Sequence, residues 1–149
     1  MIQLTFDPRV RLIRLRATLV GARPRSATLV LDTGASLTVL TPRAVAALDA
    51  PVVPEAPDMP ILTAGGRANT AQHHLASLDL YGERLGPVRV LSAPLPLQIR
   101  AEGLLGLDVL RHFNVTLDFE HGELTLERFP TDRVKETIAT YSAPPARAA

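Results

Sequence analysis

A near-continuous apolar run, Ala27 to Leu31, ends abruptly on Asp32-Thr33-Gly34-Ala35-Ser36. No other stretch limits the fold of this chain so strongly. The run reads as a strand covered on both faces. It delivers the chain to a carboxylate on a tight turn. Gly34 permits close backbone approach and unusual dihedral angles there. Thr33 and Ser36 carry hydroxyls that can hold the turn, Ser36 by hydrogen-bonding the carboxylate. The predicted outcome is one aspartate fixed rigidly at the end of a strand.

The rest of the chain is cut into short pieces by thirteen Pro and nine Gly, a spacing that favours turns over long helices. Residues 2–6 read as a short strand. From Arg11 to Val20 charged and apolar residues alternate, with Ile13, Leu15, Ala17 and Leu19 on one face and Arg14, Arg16 and Thr18 on the other; that is a half-buried strand. Gly21 to Ser26 reads as a turn, and Leu37 to Leu40 as another apolar segment. Thr41 as N-cap and Pro42 at the first helical position predict a helix over Pro42 to Leu48. Residues 49–60, with prolines at 51, 54, 57 and 60, read as an extended loop. Ile61 to Thr63 is expected as a strand, residues 64–67 as a hairpin tip, and a returning strand runs to about Leu75. Leu78 to Tyr81 and Val88 to Leu91 follow as strands, then a proline-containing connection over 92–100. Glu102 to Leu107 is apolar and Gly-punctuated, and a short helix is expected over Asp108 to Phe113. Strands at 115–119 and 123–129 bracket a hairpin at His121-Gly122. These elements predict a mainly β domain, closed or sandwich-like, with two short helices.

Composition excludes several function classes. Without Cys there is no disulfide framework, thiolate nucleophile or cysteine-based metal site. A net charge of +1 and scattered arginines argue against nucleic acid or anionic membranes as partners. Aromatic residues total only 4%, so Leu, Val, Ile and Ala must fill the core. No signal peptide opens the sequence and no run is long enough to span a membrane, so a cytoplasmic location is the expectation.

One carboxylate cannot easily serve as both acid and base, whereas two that share a site can. Like charges about 3 Å apart cannot both ionise, so one activates a water while the other keeps a proton. Asp-Thr-Gly occurs only once here. A two-fold dimer would set Asp32 beside its own copy. Asp-Thr-Gly alone is equally what a turn between strands would show, with Asp32 capping local amides.

The wider pattern resembles a family. Leu29–Ser36, Thr63-Ala64-Gly65-Gly66, Glu102–Leu110, Asn114–Phe119 and Gly122–Leu126 look like the retropepsin-like aspartic peptidases. The likeness is strongest to bacterial single-domain members and to the retroviral-like domain of the DNA-damage-inducible proteins. In the family's order these stretches cover about residues 11–128. The resemblance implies a retropepsin-like acid-protease fold, mainly β and barrel-like, with one or two short helices. It implies an aspartic endopeptidase that acts as a homodimer on peptide or protein substrates and needs no metal or organic cofactor. Asp32 would be catalytic. Thr33 would lock the two active-site loops across the dimer axis, Gly34 would lie against the substrate backbone, and Ser36 would bond Asp32. Ala35, where other members have Ser, goes with activity nearer neutral pH. Thr63, Ala64, Gly65 and Gly66 would form the flap over the peptide, and Leu104-Leu105-Gly106 the apolar element packed behind the active-site loop. The hairpin at 115–128 would lie at or near the dimer contact. The proposed flap departs from the pepsin type in lacking a tyrosine. The peptidase domain is assigned to residues 1–130 and a flexible extension to 131–149.

Other residues fit plainer roles. His73 and His74 are adjacent on a strand and face opposite ways, so they cannot readily share a metal; His112 and His121 have no evident partner. Asp108 reads as the start or cap of the short helix rather than a second catalytic acid. The Arg14/Arg16 stripe reads as a solvated strand face. The competing functional readings are a non-catalytic peptide-binding or dimerisation module on the same fold, and a monomeric β-barrel binding domain.

Overall fold

Strand β2 (Arg14–Val20) shows how the sequence pattern becomes structure. Leu15, Ala17 and Leu19 are buried, and Arg14, Arg16 and Thr18 are exposed, so the alternation read from the sequence is the alternation of faces. The strand pairs antiparallel with β3 (Pro24–Leu31), Leu15 opposite Leu29 and Val20 opposite Pro24. The computed structural model describes residues 1–54, 59–63 and 66–130. Contacts divide the chain into one unit of Arg9–Leu110 and another of Met1–Pro8 with Arg111 onward.

The larger unit holds an eight-stranded sheet. Besides β2 and β3 it contains β4 (Val39–Leu40), β7 (Gln72–Leu75), β8 (Ser77–Leu80), β9 (Glu83–Leu85), β10 (Val88–Ser92) and β11 (Gly103–Leu105), in the order β7-β10-β4-β11-β3-β2-β8-β9. Most neighbours are antiparallel, but β11 runs parallel to β3 and β10 parallel to β4. A separate antiparallel pair joins β5 (Met59–Thr63) to β6 (Gly66–Thr70), with Thr63 opposite Gly66. The unit's core is aliphatic: Leu15, Leu19, Leu29, Leu40, Leu48, Leu75, Leu78, Leu80 and Leu105 are essentially inaccessible. Each contributes roughly 1.5–3 kcal/mol of burial.

Helix α1 (Pro42–Leu48) starts where the cap chemistry predicts. The Thr41 hydroxyl accepts from the Ala44 N–H at 3.3 Å, and Asp49 closes the helix in the left-handed region. Helix α2 (Leu107–Leu110) is shorter than expected and ends before Phe113, which instead opens a strand. Three further differences have simple causes. Pro24, read as part of a turn, begins β3 at the position where its missing N–H matters least. Glu83–Leu85, between the strands expected at Leu78 to Tyr81 and Val88 to Leu91, is itself a strand returning from a tight turn in which the Gly82 N–H donates to Asp79 at 2.8 Å. The single returning strand expected after residue 66 is two, β6 and β7, and only β7 joins the large sheet.

The smaller unit is a three-stranded antiparallel sheet of β1 (Ile2–Thr5), β13 (Glu123–Arg128) and β12 (Phe113–Asp118), with β13 central. Ile2, Leu124 and Leu126 fill one face. The β12–β13 hairpin turns where His121-Gly122 was predicted, with Gly122 at φ +67°. Residues 131–149, assigned to a flexible extension, lie outside the described residues.

Candidate active site

Asp32 follows directly on β3, and its position is set by a neighbour far away in sequence. Because β3 and β11 are parallel with Leu31 opposite Leu105, both strands stop at the same edge of the sheet. The Asp32 N–H donates to the Leu105 carbonyl at 3.1 Å. One residue later in each strand, the chain turns. The Asp32 carboxylate accepts from the Gly34 N–H at 2.9 Å, and the Ala35 N–H donates to the Asp32 carbonyl at 3.3 Å. Asp32 is half-buried, while Thr33, Gly34 and Ser36 are exposed. The turn therefore presents its acid at an open surface of the chain.

Gly34 does not use the left-handed backbone freedom anticipated for it; its φ is not positive. The constraint is spatial: a Cβ there would stand 3.2 Å from Asp32 Oδ1, tighter than most real contacts. Ser36 acts through its backbone, its carbonyl accepting from the Asp108 N–H at 3.2 Å. Among the described residues no bond links its hydroxyl to Asp32.

Leu104-Leu105-Gly106 lies against this turn. Leu104 and Leu105 are in β11, and Gly106 leads into α2. A Cβ on Gly106 would come within 2.6 Å of the Leu37 carbonyl carbon and 2.9 Å of the Ala35 oxygen, so only glycine fits. The Leu107 N–H donates to the Ala35 carbonyl at 2.8 Å. Thr38 completes the junction and was not singled out by sequence reasoning. It is fully buried, its hydroxyl accepts from the Gly106 N–H at 3.1 Å, and it donates to Asp108 Oδ1 at 2.8 Å. The available signal was a hydroxyl inside the apolar segment Leu37–Leu40. Asp108 also accepts from the Val109 N–H at 3.0 Å; α2 begins one residue earlier than expected, at Leu107, with Asp108 in its first turn and tied to the Asp32 turn as well.

A family profile described as aspartyl protease matches residues 16–109, more than half of the chain. This chain belongs to the aspartyl protease family. No curated protein matches it in sequence. Among solved structures it is similar to a retropepsin-like aspartic protease from Rickettsia conorii, at 22% identity and a TM-score of 0.64 over 84% of this chain and 88% of that one. It is similar to the EIAV protease complexed with the inhibitor HBY-793, at 22% identity and 0.55 over 72% and 92%. The retroviral protease-like domain of Ddi1 from Leishmania major matches at 18% identity and 0.51 over 82% and 97%. These likenesses establish the retropepsin fold.

The remaining candidates lie on other elements of the chain. Thr63 and Gly66 face each other at the end of the β5–β6 pair, while Ala64 and Gly65 lie outside the described residues. His73 Nδ1 bonds the Ala50 carbonyl at 3.0 Å, which requires its proton there. Among the described residues no cluster of three His, Asp or Glu could hold a metal. The Arg14 side chain is not merely solvated: its guanidinium donates twice to the Ile99 carbonyl, at 2.8 and 3.2 Å. A cleft of about 410 Å³ is walled by Pro51 to Pro54, His74, Pro87 and Arg89 and includes none of the Asp32 turn. No helix of the described residues is long and apolar enough to cross a membrane.

Proposed function

We propose that this aspartyl protease is an endopeptidase whose working form is a homodimer, with Asp32 of each subunit forming the catalytic pair. One observation carries the reading. Asp32 stands on a turn anchored from behind by β11 and open in front, where Thr33 and Gly34 are exposed, and Asp-Thr-Gly occurs once in the sequence. A two-fold contact at that face brings the two acids together.

Within the pair, the ionised carboxylate takes a proton from water as its oxygen bonds to the scissile carbonyl carbon. The protonated carboxylic acid hydrogen-bonds the carbonyl oxygen. The tetrahedral species then breaks its C–N bond as a proton passes to the leaving nitrogen. Thr33 would hold the two turns together, and Gly34 and Ala35 would leave room for the peptide backbone. The β5–β6 pair, through Thr63 to Gly66, would close over a substrate lying as an extended strand. Leu104, Leu105 and Gly106 support the turn from behind.

The test compares wild type with Asp32→Asn on an unfolded protein substrate, alongside sedimentation of both. Cleavage by wild type, its loss in the variant and an unchanged dimer are expected. Cleavage undiminished in the variant would remove Asp32 from the mechanism. A dimer that binds peptides without cleaving them would favour the binding module.

A further inference from the structure

The turn that bears Asp32 has few bonds of its own. Its neighbour β11–α2 holds it through three backbone contacts, Asp32 N–H to Leu105 carbonyl, Leu107 N–H to Ala35 carbonyl and Asp108 N–H to Ser36 carbonyl. Behind these lies Thr38, fully buried and linked to two residues about seventy positions away. Its hydroxyl accepts from the Gly106 N–H and gives its one proton to Asp108 Oδ1. The same carboxylate oxygen accepts from the Val109 N–H. The hydroxyl thus joins the segment that follows the turn to the glycine that braces it and to the first residues of α2.

From this geometry we infer that Thr38 and Asp108 are positioning residues for the Asp32 pair. They fix where residues 35–37 lie on Gly106 and so set the height and tilt at which Asp32 meets its copy. Neither touches substrate. Removing the Thr38 hydroxyl leaves the buried Gly106 N–H without its acceptor and takes one of two donors from Asp108 Oδ1, and the cheapest relief is movement of the turn off Gly106. A displacement of about an ångström in catalytic groups lowers turnover by roughly 100-fold. The inference rests on the peptidase reading, and the experiment separates the two.

Full-length Thr38→Val, Thr38→Ser, Asp108→Ala and Asp108→Asn are compared with wild type and Asp32→Asn at a temperature where each is folded and dimeric. Thr38→Val and Asp108→Ala are expected to lose roughly 10- to 100-fold in kcat with KM little changed. Thr38→Ser and Asp108→Asn keep the required donor and acceptor, so each restores kcat toward wild type. Amide exchange at Leu107 and Asp108 is expected to quicken in Thr38→Val. Wild-type kcat in folded Thr38→Val and Asp108→Ala would overturn the inference, as would a loss that Ser fails to recover. If Thr38→Val does not fold, Asp108→Ala carries the test, because Asp108 is only half-buried. Cleavage by Asp32→Asn would instead strike the peptidase reading itself.

Discussion

Two turns in this molecule, each led by an aspartate, use the same local chemistry and differ in everything around it. At the end of β12, Asp118 accepts from the His121 N–H at 2.9 Å, and its other oxygen meets the His121 ring at 2.8 Å. At the end of β3, Asp32 accepts from the Gly34 N–H at 2.9 Å. The first turn serves its own hairpin and lies in solvent. The second is pinned by β11, Gly106 and buried Thr38, yet leaves Thr33 and Gly34 open. An Asp turn is common chemistry. Long-range bracing of a half-buried acid beside an open surface is not something a hairpin needs, and that contrast favours a working site over a simple turn.

The comparison can be broken by substitution. The largest expected effect is Asp32→Asn, which should lower cleavage on the order of 10³-fold while folding is retained; the matching Asp118→Asn should leave cleavage at wild-type level. If the two variants behaved alike, the contrast would be empty. Next is Gly106→Ala, where the added carbon meets backbone rather than a flexible side chain. Overpacking of this kind costs about 1–3 kcal/mol or more, seen as a lowered denaturation midpoint together with weakened cleavage. Thr41→Ala removes the α1 cap and should cost about 1 kcal/mol with no change in kcat. A loss of turnover there would mean that bracing extends beyond β11.

The smallest effect is a pH dependence confined to the hairpin. Hydrogen bonding to Asp118 and its charge raise the His121 pKa, and bonds from the His121 backbone and ring lower that of Asp118. A raised imidazole stabilises fully below its unfolded value and loses this as pH climbs through the folded one. A lowered carboxylate stabilises above its unfolded value and loses this as pH falls through the folded one. The pair is therefore strongest between about pH 4 and 6.5. Thermal melts of wild type and His121→Ala should differ most in that window and converge on either side. A difference that grew above pH 8 would refute the assignment.

What the sequence made legible was local. The helix at Pro42–Leu48 was readable because Thr41 and Pro42 announce it within one turn, and β2 because its alternation is written residue by residue. Asp32-Thr33-Gly34 was readable for the same reason. The bonds that brace it were not. Thr38 and Asp108 are 70 residues apart, and a hydroxyl inside the apolar segment Leu37–Leu40 hints at burial without naming its partner. Arg14 lies on an exposed face as its alternation implies, but its bonds to the Ile99 carbonyl, 85 residues later, could not be read locally. Gly34 was credited with unusual dihedral angles because glycine suggests them, when the spatial limit is the carboxylate of Asp32 itself.

The parallel pairing of β3 with β11 has one more consequence, in time. As the chain emerges from the ribosome, Asp32 appears early, but the carbonyl that receives its N–H and the glycine that braces its turn arrive only with residues 105 and 106. Contacts so distant in sequence form late in folding. The Asp32 turn is thus unbraced until residues 105 and 106 are made, and a chain cut before them carries the motif without its support.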